Sequence, residues 1–173
     1  MSATPFESQP AVAPAPAAPL DELHLHRLLV CIDGSPTAEL ALRGAITVAH
    51  RDHAAVTLLV VVPDFATKAG GWVTPGAPCP AVLQEEADTN ACRLLRETVE
   101  RLPADIPVTT VLRRGKPGPE ICAQARECGN YDAILLGARG VGRIGSLTGS
   151  VSSYVLRHAD TAVFIAHPPR DGC

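Results

Sequence analysis

Five glycines, Gly137, Gly140, Gly142, Gly145 and Gly149, fall within residues 135–150 of this 173-residue chain, between an apolar run and a helical pattern beginning near Ser150. Glycine serves where backbone must approach a ligand closely or adopt positive φ, and a helix start presents unpaired N–H groups at the positive end of its dipole. These residue types in this order suit the cradling of phosphate. Two further candidates close earlier apolar runs. Asp33, in Asp33-Gly34-Ser35-Pro36, carries a carboxylate suited to a sugar hydroxyl or base amino group, and equally to organising its own turn. Val61 stands near the end of a second run, 56–62, where its backbone can read a base edge.

Three phosphate templates compete for residues 137–150. A P-loop starting at Gly137 reaches Gly142 but then needs Lys-Ser/Thr and meets Arg143-Ile144, so the Mg2+-binding hydroxyl is missing. Gly140-Val141-Gly142-Arg143-Ile144-Gly145 spells the dinucleotide fingerprint, yet Asp160 precedes the next strand instead of ending it. Residues 146–173 are also too few for another mononucleotide-binding half. That match is read as accidental. Arg113-Arg114-Gly115-Lys116 offers a second cationic cluster, either a phosphate clamp or an ordinary charged loop. No nucleophile and base stand together, and His24, His26, His50 and His53 lack companion ligands, so neither a catalytic set nor a metal site is expected.

The elements that must position these residues follow from pattern. The continuous apolar run over 28–32 suits a strand buried on both faces, 56–62 reads as a second buried strand, and further strands are expected at 107–112, 131–136 and 161–166. Between them, helical spacing begins after Ser35-Pro36, an N-cap followed by proline, and recurs over 82–102 and 150–158; a shorter helix opens near Pro119 and closes at Gly129. On the long helix the expected buried stripe is Leu83, Ala87, Ala91, Leu94, Leu95, Val99 and Leu102. Residues 64–80, with Gly70-Gly71-Trp72 and three prolines, read as a loop. Strand–helix alternation implies an α/β fold with a doubly wound parallel sheet, because each parallel connection needs a crossover.

Composition narrows the partners. A net charge of −3 and 3% aromatic content leave no electrostatic footprint or stacking surface for nucleic acid. No apolar run is long enough to span a membrane, and six cysteines without C-x-x-C spacing are expected as free thiols in a cytoplasmic setting. Residues 1–24, with five prolines and no lysine or arginine, are expected to form an extended or disordered leader before a single domain over 25–173.

Val30-Cys31-Ile32-Asp33-Gly34-Ser35, Gly137-x-x-Gly140 followed by Gly149-Ser150, and the run Gly149-Ser150-Val151-Ser152-Ser153-Tyr154-Val155-Leu156-Arg157-His158-Ala159 together resemble the universal stress protein (UspA-like) family. The similarity covers residues 26–168. It implies an adenine nucleotide alpha-hydrolase-like fold with five strands in the order 3-2-1-4-5, dimeric through the last strand. By its ATP-binding branch, G-x2-G-x9-G-[ST], Gly137, Gly140, Gly149, Ser150 and Val151 would hold phosphates and ribose, while Asp33 and the Val61 backbone would hold adenosine. The bound group would be ATP, with or without Mg2+. Eight residues separate Gly140 from Gly149 here, where the pattern has nine. The implied function is a stress-response regulator sensing or signalling adenine-nucleotide state, with at most slow ATP hydrolysis or autophosphorylation and an unidentified protein partner. The alternative is a nucleotide-independent dimerisation module of the same fold.

Overall fold

The structure, a computed structural model, describes residues 24–65, 79–138 and 150–168. Strands β1 (Arg27–Cys31), β2 (Ala55–Val62), β3 (Val108–Arg114), β4 (Ala133–Gly137) and β5 (Ala162–Ala166) alternate with helices α1 (Pro36–Asp52), α2 (Pro80–Glu100), α3 (Pro117–Cys128) and α4 (Ser150–His158). All pairings are parallel, in the order β3-β2-β1-β4-β5. The five-stranded doubly wound sheet expected from strand–helix alternation, in the order implied by the family resemblance, is the fold observed. The Pro/Ala-rich leader and Trp72 lie outside the described residues.

Side-chain alternation along β1 divides the core. Leu28 and Val30 point to the face covered by α1 and α2, whereas Leu29 and Cys31 point to the face covered by α3 and α4. Leu28, Leu29 and Val30 are fully buried. That is why β1 reads as an unbroken apolar run instead of an alternating one. Each such side chain contributes roughly 1.5–3 kcal/mol by leaving water.

Local chemistry sets most helix ends. The Ser35 hydroxyl accepts the Ala38 N–H at 3.2 Å, with Pro36 at the first helical position. His53 (φ 55°) and Gly129 (φ 58°) close α1 and α3 in the left-handed conformation, returning N–H groups to Ala49 and Ala125. Long-range contacts tie down the start of β1: Asp132 accepts the N–H groups of His26 (2.6 Å) and Arg27 (2.8 Å), and Asp52 accepts that of Leu25 (3.1 Å). Asp52 is also paired with Arg51, which holds its carboxyl well below the usual carboxylate range.

Three expectations need correction. α2 begins at Pro80 and ends at Glu100, two residues earlier at each end than its apolar pattern suggests. On its inner face Thr98 replaces Val99: Thr98 is 1% exposed with its hydroxyl donated to the Leu94 carbonyl at 2.7 Å, while Val99 is 37% exposed. A satisfied hydroxyl behaves as a small apolar group, and the helix phase set by Ala91 and Leu95 then selects position 98. β3 extends through Arg113 and Arg114, which therefore belong to the strand and not to the loop after it.

Candidate functional site

In an open α/β sheet the crevice lies where successive connections leave on opposite faces. Here that point is between β1 and β4: α1 leaves β1 on one face, and α4 leaves β4 on the other. The cleft has about 490 Å3 of unfilled space, that open to solvent included. Its described lining includes Asp33, Val61, Gly137 and Val151, four of the seven residues expected to hold nucleotide. Ser150 opens α4 beside them. Gly140 and Gly149, the side chain of Ser150, and the cations Arg139 and Arg143 lie outside the described residues.

Asp33 is exposed just past β1, where its carboxylate accepts the Ser35 N–H at 3.0 Å and Gly34 supplies positive φ (76°). One oxygen thus shapes the turn that delivers the chain to α1. The two roles open in the sequence are compatible, since a carboxylate has acceptor capacity for more than one donor. Val61 is placed by strand parity. The Leu59 carbonyl accepts the Ile32 N–H at 2.9 Å on the β1 side, and the Val62 carbonyl accepts the Gly115 N–H at 2.8 Å on the β3 side. The Val61 carbonyl therefore points toward the β1 side as Leu59 does, but beyond the last residue of β1.

Gly137 has a packing reason of its own. A Cβ there would meet the Thr37 carbonyl carbon, the Ala38 nitrogen at 2.5 Å and the Thr37 hydroxyl at 2.6 Å. Backbone cannot yield as a side-chain tip does, so the absent side chain lets the first turn of α1 seat against the end of β4.

The cationic cluster is committed elsewhere. Arg113 reaches Glu120 (2.8 Å), Glu127 (2.7 Å) and Gln124 (3.1 Å), and Arg114 reaches Asp88 (2.5 Å). The carboxylates raise both guanidinium pKa values, and the guanidiniums in turn lower those of Asp88 and Glu127. The clamp reading for these two arginines is replaced by a structural one, because the carboxylates that hold them are the protein's own, Glu120 and Glu127 on α3 and Asp88 on α2. Lys116 stands at the N-cap of α3 and is exposed.

Among the cleft residues that sequence reasoning did not assign to the site are Cys31, Pro117 and Ser152. Ser152 is 1% exposed and sits one position from Val151 on the buried side of α4, with Val155. The helical spacing of 151, 152, 155 and 159 was the available signal. Cys31 shares the Leu29 face of β1, and burial, reinforced by Asp33 and Cys122, pushes its thiol far up. A protonated thiol is a poor nucleophile, which suits a binding cleft and not covalent chemistry. The described cysteines are free, as expected. Among the described residues no group of three His, Cys, Asp or Glu is placed to hold a metal, and no helix is long and apolar enough to cross a membrane.

Comparison with known proteins places this architecture. The model of the universal stress protein family matches residues 24–167. A universal stress protein of Mycobacterium tuberculosis (strain ATCC 25618 / H37Rv) is 32% identical over 140 residues, covering 80% of this chain and 44% of the relative. The chain thus spans less than half the length of the curated relatives it matches. Universal stress protein UspA from Lactobacillus plantarum is 28% identical with a TM-score of 0.68, covering 84% of this chain and 99% of that one. A universal stress protein crystallised in complex with cAMP is 23% identical with a TM-score of 0.63, covering 84% and 99%. The sheet order, the switch-point cleft and the matched family model agree, and the chain belongs to the universal stress protein family.

Proposed function

We propose that the cleft between β1 and β4 binds an adenine nucleotide, ATP with or without Mg2+, and that the protein reports nucleotide state in a stress response with little or no turnover. The observation that carries this reading is the convergence of Asp33, the Val61 backbone, Gly137 and the start of α4 on one cleft. Asp33 and Val61 would hold ribose and base, while Gly137, Gly140, Gly149, Ser150 and Val151 would surround the phosphates. The cleft fits the adenosine part chemically: Leu59, Ile121, Leu136 and Val151 give apolar walls, and Asp33 is its one carboxylate among the described residues. Mg2+ would be held through the phosphates, since the described residues offer no metal-ligand cluster. The relative bound to cAMP supports an adenine nucleotide as the ligand class.

One helix start contributes only about 0.3–1 kcal/mol to an anion, up to ~2 when partly buried, whereas micromolar affinity needs about 8 kcal/mol. Both halves of the cleft must therefore act together. The test is a thermal-shift titration of the full chain with Mg-ATP, ADP, AMP and cAMP, alongside mass spectrometry of nucleotide released from natively purified protein. Saturation to a hundredfold excess over Kd adds about 2.7 kcal/mol, a shift of roughly 5–10 °C for a domain of this size. Asp33→Ala should abolish that shift while lowering the ligand-free midpoint only slightly. No shift with any of the four and no released nucleotide would overturn the reading.

A second reading, a homodimer acting through an unidentified protein partner from the free edge of β5, is favoured by one observation. Ala162-Val163-Phe164-Ile165-Ala166 carries no charge at that edge, and Phe164 is 45% exposed. Eight residues in place of nine between Gly140 and Gly149 also favour it. Retention of cellular function by Asp33→Ala, with loss on disrupting β5, would select this reading over the first.

A further inference from the structure

The two helices that wall the cleft, α3 with Pro117 and Ile121 and α4 with Val151 and Ser152, also touch each other, and they meet at a glycine. Gly118 is buried in the first turn of α3, between Pro117 and Pro119. A Cβ built there would stand 2.8 Å from Cγ and Cδ1 of Tyr154 and 2.9 Å from its Cβ. The backbone does not ask for glycine, because the residue is helical without positive φ, and glycine weakens a helix relative to alanine. The close approach of α4 is the reason that remains.

Ordinary carbon contacts lie at about 3.5–4.0 Å, so a methyl group at 118 demands a displacement of about 0.7–1.2 Å. Tyr154 cannot supply it by changing rotamer. The methyl meets its Cβ, which no rotamer moves, and its ring stacks on His158 at 4.0 Å with 15° between the planes. The far ends of the two helices are tied together, since Arg126 of α3 donates to the His158 carbonyl at 3.4 Å. The displacement therefore falls on the ends that carry Pro117 and Val151.

We propose that the Gly118–Tyr154 contact sets the width of the cleft and makes both of them positioning residues for the nucleotide, an inference that rests on the nucleotide reading above. Val151 lies three residues before Tyr154 on the same side of α4, and Pro117 adjoins Gly118, so the separation of the two walls follows from how closely the helices meet here. A binding constellation must be held to within about 0.5 Å of its working geometry, less than a single methyl demands. Neither residue has to touch the ligand.

The test is calorimetric titration of the full-length chain with Mg-ATP and with AMP, at a temperature where circular dichroism shows the variants folded. Gly118→Ala should weaken binding at least about tenfold, although alanine favours the helix. Arg113→Ala, which removes ion pairs away from the cleft, is the control for lost stability and should bind as the unmodified chain does. Adding Tyr154→Gly to Gly118→Ala removes every atom that the methyl meets, and the pair should bind more tightly than Gly118→Ala alone. Should that pair not fold, the comparison of Gly118→Ala with Arg113→Ala decides. Unchanged affinity in Gly118→Ala would overturn the proposal at any stability, as would an equal loss in Arg113→Ala or a folded double variant that binds no better. An unmodified chain that binds neither nucleotide would overturn the nucleotide reading itself, and the positioning role with it.

Discussion

Among the described residues, β3 and β5 each border the sheet and leave one row of backbone N–H and C=O groups without a neighbouring strand, but they carry different side chains. β3 exposes Thr109 and Thr110 and ends in Arg113 and Arg114, which reach Glu120, Glu127 and Asp88 on α3 and α2. β5 is short, uncharged and half-open at Phe164. Polar and charged side chains discourage edge-to-edge addition, and an uncharged apolar edge invites it. One edge of this sheet is closed chemically and the other is left available, which is the edge on which the second reading proposed above depends.

The largest effect should come from breaking the open edge. Ala166 accepts the Ala138 N–H, so positions 162, 164 and 166 turn their backbone groups to β4 while Val163 and Ile165 turn theirs outward. Val163→Pro removes an outward donor without touching the β4 ladder. For a homodimer joined through β5, sedimentation should show self-association weakened at least about a hundredfold, ~2.7 kcal/mol, with the domain still folded. A dimer of unchanged affinity would move the interface away from β5.

Next is the closed edge. Arg113→Ala strands the oxygens of Glu120 and Gln124 that it satisfies, and should lower unfolding stability by about 1–3 kcal/mol in urea titrations. Nucleotide-induced shifts should persist, because this arginine is engaged by protein carboxylates and not by the cleft.

Acid should then distinguish the edges. Glu127 and Asp88 have carboxyl pKa values lowered by Arg113 and Arg114. A depressed pKa contributes stability above the unfolded-state value, ordinarily 4.5 for Glu and 3.8 for Asp, which is lost as pH falls through the folded-state value. Hydrogen exchange below pH 4.5 should open β3 and the end of α3 before β5, and Arg113→Ala should remove much of that difference. β5 opening first would contradict the division of labour.

The smallest effect tests whether polarity alone guards β3. Thr109→Val with Thr110→Val should change stability by less than about 0.5 kcal/mol, as exposed strand substitutions do. It should nevertheless raise concentration-dependent light scattering. Unchanged scattering would assign the protection of that edge to the arginine pairs.

Much of the scaffold was legible because it is written locally. Unbroken apolar runs announce strands buried on two faces, and Ser35-Pro36 and Gly129 announce helix ends, since the chemistry involved spans only a few residues. Boundaries slipped where a local pattern met a distant partner, as when Arg113 and Arg114 were drawn into β3 by pairing with Val61 and Val62 of β2. Thr98 displaced Val99 because helix phase, set by packing against the sheet, outweighs side-chain polarity when the hydroxyl can return to its own helix.

The same division runs through the cleft. The residue types suited to an adenine nucleotide, Asp33 and the glycines of 137–149, were evident from sequence because turns and phosphate cradles demand particular residues at short spacing. Tertiary structure alone decided that Gly137 answers to the backbone of Thr37 and Ala38, that Cys31 and Ser152 complete the wall, and that Asp132 fastens a strand 105 residues away. Local sequence constrains φ, ψ and period; which distant surfaces must share one volume is settled only when the sheet closes and every buried group finds its partner.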